Sequence, residues 1–263
     1  MFERLPMQKF TKEDVEALYR RQAVEHGKAG TSTVQDIRTR ELEILALLKY
    51  FKDGQRILEV GCGNGYVAEN IAGKLKVHID AFDYSEDLIK IAKDRQLAGI
   101  LGSVNFSQGD VLTHQIEQSY DVVFSERCIQ NLTTLEEQRE ALRNISTWIR
   151  PGGSYVMLES FWTGLNNMNE ARAELGLPAI AESWHNRFFV EEDVLSFAKS
   201  IGLECRNNDC FLSGYYFGSR VLLPALLPDP KAATFKSRLN DYFSQMPPAG
   251  DFSPMKILHF VKV

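Results

Sequence analysis

Arg56-Ile57-Leu58-Glu59-Val60-Gly61-Cys62-Gly63-Asn64-Gly65 decides how this chain is read. Ile57, Leu58 and Val60 form a short apolar run that suits a strand buried on both faces. Glycine then recurs at every second position, at Gly61, Gly63 and Gly65, where positive φ and close approach of a ligand to the backbone are tolerated. Directly afterwards Val67, Ala68 and Ile71 fall on one helical face. A strand, a glycine turn and a helix make the nucleotide-binding corner of an open α/β sheet. A dinucleotide fold would place its third glycine where Tyr66 stands, for close helix–strand packing. Glu59, just ahead of the first glycine, is awkward for pyrophosphate and suits a ligand that carries positive charge.

The pattern Glu59-x-Gly61-x-Gly63-x-Gly65 resembles the first motif of the class I S-adenosylmethionine-dependent methyltransferases. Their ligand has an ammonium and a sulfonium and no phosphate. The resemblance runs from about Gly54 to Gly202. It implies a Rossmann-like α/β fold: a seven-stranded, mostly parallel sheet whose last strand is antiparallel. It also implies S-adenosyl-L-methionine as cofactor, held by Glu59, Gly61, Cys62, Gly63 and Gly65 of the corner. Further family motifs follow downstream. Val77 to Phe82 reads as a second strand ending in Asp83-Tyr84-Ser85. Asp83 lies near the spacing at which a carboxylate meets ribose hydroxyls, and a carboxylate can accept from both at once. Ser85 caps a helix expected over Glu86 to Leu97. Val104 to Ser107 reads as a third strand, followed by Asp110 and Val111. By the resemblance, Asp110 accepts from the adenine amino group and the Val111 amide serves the ring; read without it, Asp110 is a turn residue.

Tyr120 to Phe124 reads as a fourth strand that ends in Ser125-Glu126-Arg127-Cys128. Ligands of open α/β sheets sit outside the carboxyl ends of the strands, which places Glu126 and Arg127 near the sulfonium or the acceptor. Two readings of Arg127 stay open: a clamp for a carboxylate or phosphate, or a surface ion pair of little worth. The run Asp/Asn-Pro-Pro-aromatic, by which family members methylate base amino groups, does not stand here. Leu135 to Ile149 is an amphipathic helix, broken at Arg150-Pro151-Gly152-Gly153 ahead of a fifth strand, Tyr155 to Glu159. Leu203 to Leu212 and Met255 to Val263 complete the expected sheet.

Three decorations surround this frame. Residues 1–53 are expected to form a helical lid on the domain 54–263. One helix is capped by Thr11 with Asp14 at the capping-box distance; a second runs from Val34 to Phe51 with Ile37, Leu42, Leu45 and Leu48 inward. Insertions fall at 160–190 and 213–253. If the sixth strand is parallel to the first five, all three decorations meet at one pocket, and they hold specificity while the sheet holds the cofactor. His26, Asp36, Arg40 and Glu41 are lid candidates, against a plain solvated helix face. Phe161, Trp162, Trp184, Phe188 and Phe189 could stack on a ring acceptor or simply fill core. The run Thr234 to Phe243 is either pocket wall or a contact in a homodimer.

A hydroxyl or ammonium acceptor must lose a proton. His26, His185 and Glu126 are the candidate bases, with Arg127 beside them. His78, His114 and His259 lack supporting context. The acceptor expected is a small molecule: a sugar or secondary metabolite methylated on oxygen, or an amine or amino acid methylated on nitrogen. A cofactor-binding partner without catalysis is the reading from another class. Composition narrows the field. The chain has 263 residues, 44% of them hydrophobic, which is ample for one decorated α/β domain. The net charge of -5, with Lys and Arg dispersed, argues against a nucleic-acid backbone as partner. No apolar stretch has the length of a membrane span, and Met1 to Lys12 does not read as a signal peptide. Cys62, Cys128, Cys205 and Cys210 lack metal-site spacing and read as reduced thiols of a cytoplasmic protein. No metal is expected.

Overall fold

The computed structural model describes residues 10–32, 34–95 and 99–263. Its sheet has seven strands: β1 (Arg56–Val60), β2 (His78–Asp83), β3 (Ser103–Gln108), β4 (Tyr120–Glu126), β5 (Ile149–Ser160), β6 (Leu203–Asp209) and β7 (Met255–Lys262). They lie in the order β3-β2-β1-β4-β5-β7-β6. The first five pair in parallel, and β7 runs antiparallel to both β5 and β6. The expected Rossmann-like sheet with an antiparallel last strand is therefore the observed one. The order reverses between β1 and β4, so the carboxyl ends of those strands open onto one crevice.

The sheet is buried on both faces. Ile57, Ile79, Phe124, Val156 and Ile257 pack on one side, against α2 (Ile37–Leu47) and α3 (Tyr66–Ala72). Leu58, Val60, Val123, Tyr155 and Phe260 pack on the other. Their neighbours there are α5 (Leu135–Trp148) and α7 (Glu191–Ser200). Two further helices, α1 (Lys12–His26) and α4 (Glu86–Lys93), stand at the crevice. Thr11 and Asp14 form the capping box foreseen for α1, and Ser85 caps α4. The foreseen end of α4 at Leu97 lies outside the described residues. So does most of the stretch read as no signal peptide.

The strand β5 starts at Ile149 and contains the Pro-Gly-Gly turn, so the break is a bulge inside the strand with a register shift against β4. The helix α2 also differs from the periodic reading. Ile37 and Leu45 are exposed, while Thr39, Arg40, Glu43, Ile44, Ala46 and Leu47 are buried. Its inward face is partly ionic because buried partners for Arg40 and Glu43 wait at the end of β4.

The insertion 160–190 contributes α6 (Trp162–Glu174). The insertion 213–253 contributes α8 (Ser213–Tyr216), a π-helical turn at Phe217–Leu222, α9 (Leu223–Leu226) and α10 (Leu239–Phe243). The two share a small core of Leu165, Met168, Phe188 and Val221. Tyr215 and Arg220 reach back to α2, where Tyr215 Oη and Arg220 Nη2 donate to the buried Asp36 carboxylate at 2.9 and 2.6 Å. No helix among the described residues is long and apolar enough to cross a membrane.

Candidate functional site

A cavity of about 230 Å³ opens at the carboxyl ends of β1, β2 and β4. The glycine corner forms its floor. Gly61 has φ +77, and a Cβ there would sit 2.3 Å from Cys128 Sγ. Gly65 has φ +76, and a Cβ would meet the Phe106 ring at 2.6 Å. Both positions thus require glycine on two counts. At Gly63 a Cβ would meet nothing within 4 Å, and its N–H donates to Asp83 Oδ2 at 2.8 Å.

The carboxylates of this corner are buried. Burial raises Asp83 to about 6 against the pull of the Ser85 and Gly63 N–H groups. Burial also raises Glu59 to about 8, although the Arg40 guanidinium opposes it. Glu59 Oε2 is buried without a hydrogen-bond partner, as are Ser32 Oγ, Tyr84 Oη and His185 Nδ1. All four residues line the same cavity. Such orphaned atoms are rare in a folded chain, and their convergence marks where a polar ligand would be received.

Asp110 lines the cavity but already has protein partners: Oδ1 accepts from the Leu112 N–H at 3.0 Å, and Oδ2 accepts from Lys12 Nζ at 2.6 Å. Val111 lines the cavity beside it.

Across the cavity lies a charged cluster. The Arg40 guanidinium donates to Glu126, and Arg127 donates from Nε and Nη2 to Glu43 Oε1 at 2.8 and 2.6 Å. Arg40 Nη1 also stands 3.7 Å from Glu43. Against its burial, Arg127 and Arg40 hold the Glu43 carboxyl below its usual range. Burial pushes Glu126 up, and the Glu43 charge adds to that, while Arg40 opposes. His185 is lowered, by burial and then by the nearby Arg127 charge. Tyr19 Oη donates to Asn131 Oδ1 at 2.8 Å, and Asn131 Nδ2 donates to Asn186 Oδ1 at 2.7 Å. The helix α1, the loop after β4 and the first insertion are thereby joined around one space.

Residues 57–153 match the family pattern described as a methyltransferase domain. Over those residues the chain is a methyltransferase domain, similar to the class I S-adenosylmethionine-dependent methyltransferases. It is 40% identical over 91 residues to a malonyl-[acyl-carrier protein] O-methyltransferase of Bacillus anthracis, a match covering 34% of this chain and 32% of that protein. It is 31% identical over 130 residues to phosphoethanolamine N-methyltransferase 2 of Caenorhabditis elegans, covering 49% and 29%. These matches span about a third of the curated relatives' length. The magnesium protoporphyrin IX methyltransferase of Synechocystis PCC 6803, solved with bound S-adenosylmethionine, superposes with a TM-score of 0.60 at 13% identity, covering 100% of both chains. S-adenosyl-L-methionine is the cofactor of this family.

Within this methyltransferase frame, the residues expected at the site divide. Glu59, Gly61, Cys62, Gly63, Asp83, Tyr84, Asp110, Val111, Glu126, Arg127 and His185 all line the cavity, and Gly65 supports it from behind. His26 does not join them. It ends α1 half-exposed beside Glu25, because Gly27 turns the chain away at that point. Among the residues expected in a lid, Arg40 reaches the cavity, Asp36 is consumed in tying α2 to the second insertion, and Glu41 stays on the surface with Arg38. Phe161, Phe188 and Phe189 fill core, and neither they nor Trp162 and Trp184 line the cavity; its rings are Tyr19, Tyr66, Phe82 and Tyr84. No residue of 213–253 lines it either, since that insertion braces α2 from behind. Sequence reasoning missed Tyr19, Glu43, Asn131 and Asn186. None of them carried a local signal; Glu43 falls opposite the leucine face from which its helix was read.

Proposed function

We propose that this chain transfers a methyl group from S-adenosylmethionine to an oxygen of a small-molecule acceptor, such as a sugar or secondary metabolite. The observation that carries the reading is a half-buried histidine whose buried ring nitrogen Nδ1 is unpartnered in the same cavity as the glycine corner. When bound, S-adenosylmethionine supplies an electrophilic methyl carbon on a sulfonium. The residues of the corner fit such a ligand: Glu59 and Ser32 offer unpartnered oxygens to its charged amino-acid end, and Asp83 offers remaining lone pairs to a ribose. Asp110 and the Val111 amide would serve the adenine. His185 Nδ1 accepts the proton that an acceptor hydroxyl gives up. Arg127 holds the acceptor's polar end, and the buried walls exclude water while positive charge disappears in the displacement. Residues 1–53 act as the lid of this domain.

A nitrogen acceptor is the second reading. Similarity to a phosphoethanolamine N-methyltransferase supports it, and the raised Glu126 carboxyl could then take an ammonium proton. Release of S-adenosylhomocysteine against a panel of hydroxyl and amine acceptors separates the two. His185→Ala should lower turnover of a hydroxyl acceptor by about 10²-fold or more while leaving S-adenosylhomocysteine affinity in place. Tight cofactor binding without turnover of any acceptor would instead make the chain a cofactor-binding partner.

A further inference from the structure

The Glu159 carboxylate, at the end of β5, is fully buried and takes no part in the chemistry above. Four donors converge on it. Ser125 Oγ donates to Oε1 at 2.8 Å, and the backbone N–H groups of Cys128 and Ile129 donate to the same oxygen at 3.2 and 3.1 Å. The Gln130 N–H donates to Oε2 at 3.2 Å. Three consecutive amides of the segment after β4 are therefore pinned to one side chain from the next strand. Just ahead of them stands Arg127, with φ +53, the one non-glycine residue with positive φ among the described residues. Its N–H is bonded to the Leu158 carbonyl. A long side chain keeps such a backbone only where its surroundings over-determine it.

We propose that Glu159 is a positioning residue for the methyl acceptor: it fixes the loop 127–131, and through it the side chains of Arg127, Gln130 and Asn131 that form the acceptor wall. The proposal rests on the reading that this wall receives the acceptor. Hydrogen bonds from backbone amides to a carboxylate are stronger than neutral ones, and here they are sheltered from water. The remaining groups around Glu159 do not compete for it. Tyr155 donates toward Ser125, Lys256, its register partner on β7, is committed to Glu191 and Asp251, and Tyr19 is bonded to Asn131. Burial raises Glu159 to about 7, and the three amides pull against that rise.

Amide hydrogen exchange tests this without an acceptor. In the unsubstituted protein, the Ile129 and Gln130 amides should exchange at least 100-fold more slowly than those of the exposed residues Thr234 and Phe235. Unprotected amides overturn the proposal, whether or not a variant folds. Glu159→Gln keeps the side-chain volume but turns donors toward donors. The segment 127–131 should then exchange at least tenfold faster while β1 and β7 stay within twofold, and S-adenosylhomocysteine affinity should stay within about threefold. Glu159→Asp keeps the charge one methylene short and should restore part of the protection. Unchanged exchange at 127–131, or an equal rise throughout the sheet, overturns the proposal. A failed acceptor panel with a protected loop would count against the methyltransfer reading instead.

Discussion

The two sides of the cavity treat buried charge in opposite ways. On the acceptor side, Arg40, Glu43, Glu126 and Arg127 compensate one another inside the protein. On the proposed cofactor side, Glu59 and Asp83 are also buried; backbone amides serve Asp83, and one Glu59 oxygen has no hydrogen-bond partner among the described residues. A compensated cluster holds its shape before a ligand arrives. An uncompensated corner is stabilised by the ligand itself. The comparison assigns preorganisation to the acceptor wall and affinity to the glycine corner.

The largest effect should come from opening the compensated cluster. Glu43→Ala removes the partner of Arg127 and one partner of Arg40, leaving buried guanidinium charge behind. Loss of one partner of a buried pair costs about 3 kcal/mol. Denaturant unfolding should show a loss of that size. A loss below about 1 kcal/mol would mean the cluster relaxes into water and holds nothing in place.

The next effect belongs to the corner. Asp83→Ala deletes the acceptor of the Gly63 and Ser85 amides together with the expected ribose contact. At about 1.5 kcal/mol for each hydrogen bond to a charged group, S-adenosylhomocysteine affinity should fall roughly 100-fold by calorimetry. Unchanged affinity would break the assignment of that side to the cofactor.

These two sites were not equally legible in the sequence. Glu59, the three glycines and Asp83 lie within two adjacent strand–turn units, and local spacing carried them. The acceptor wall depends on Arg40 meeting Glu126 and Glu43 meeting Arg127, each more than 80 residues apart, and no local period reports such pairs. The same distance explains α2, where a helix read from its leucines buries an arginine and a glutamate instead. The strands were readable in chain order as short runs bounded by turns, and their arrangement in one mostly parallel sheet came from the family resemblance. The destination of the insertions was not: the phenylalanines of 160–190 went to core, and 213–253 went behind α2.

A smaller effect separates the sides by pH. Glu59 is raised from 4.5 to about 8 in the folded chain, so the folded state keeps a proton that the unfolded chain has lost. Its contribution to stability is full below 4.5, declines as pH rises, and is gone above about 8. Asp83, raised from 3.8 to about 6, acts in the same direction over a lower window. The ligand-free protein should therefore lose stability between pH 5 and 8, and Glu59→Gln should flatten that slope by about 1.4 kcal/mol per pH unit. An identical slope in the variant would show that Glu59 is ionised throughout and that a protein cation compensates it.

The smallest effect tests where the lid ends and the corner begins. Lys12 holds Asp110 from α1 at 2.6 Å, with the lysine side chain 55% exposed. It also raises the Lys12 ammonium above its ordinary value, with the Asp110 hydrogen bond as the main cause. An exposed pair of this kind contributes about 1 kcal/mol or less to stability, and salt weakens it further. If Asp110 serves the adenine amino group, Lys12 is a competitor for the same oxygen. Lys12→Ala should then leave stability nearly unchanged and raise S-adenosylhomocysteine affinity by up to about threefold, with the gain shrinking as salt is added. A loss of affinity would instead make Lys12 part of the cofactor site, and the lid would belong to the corner rather than to the acceptor wall.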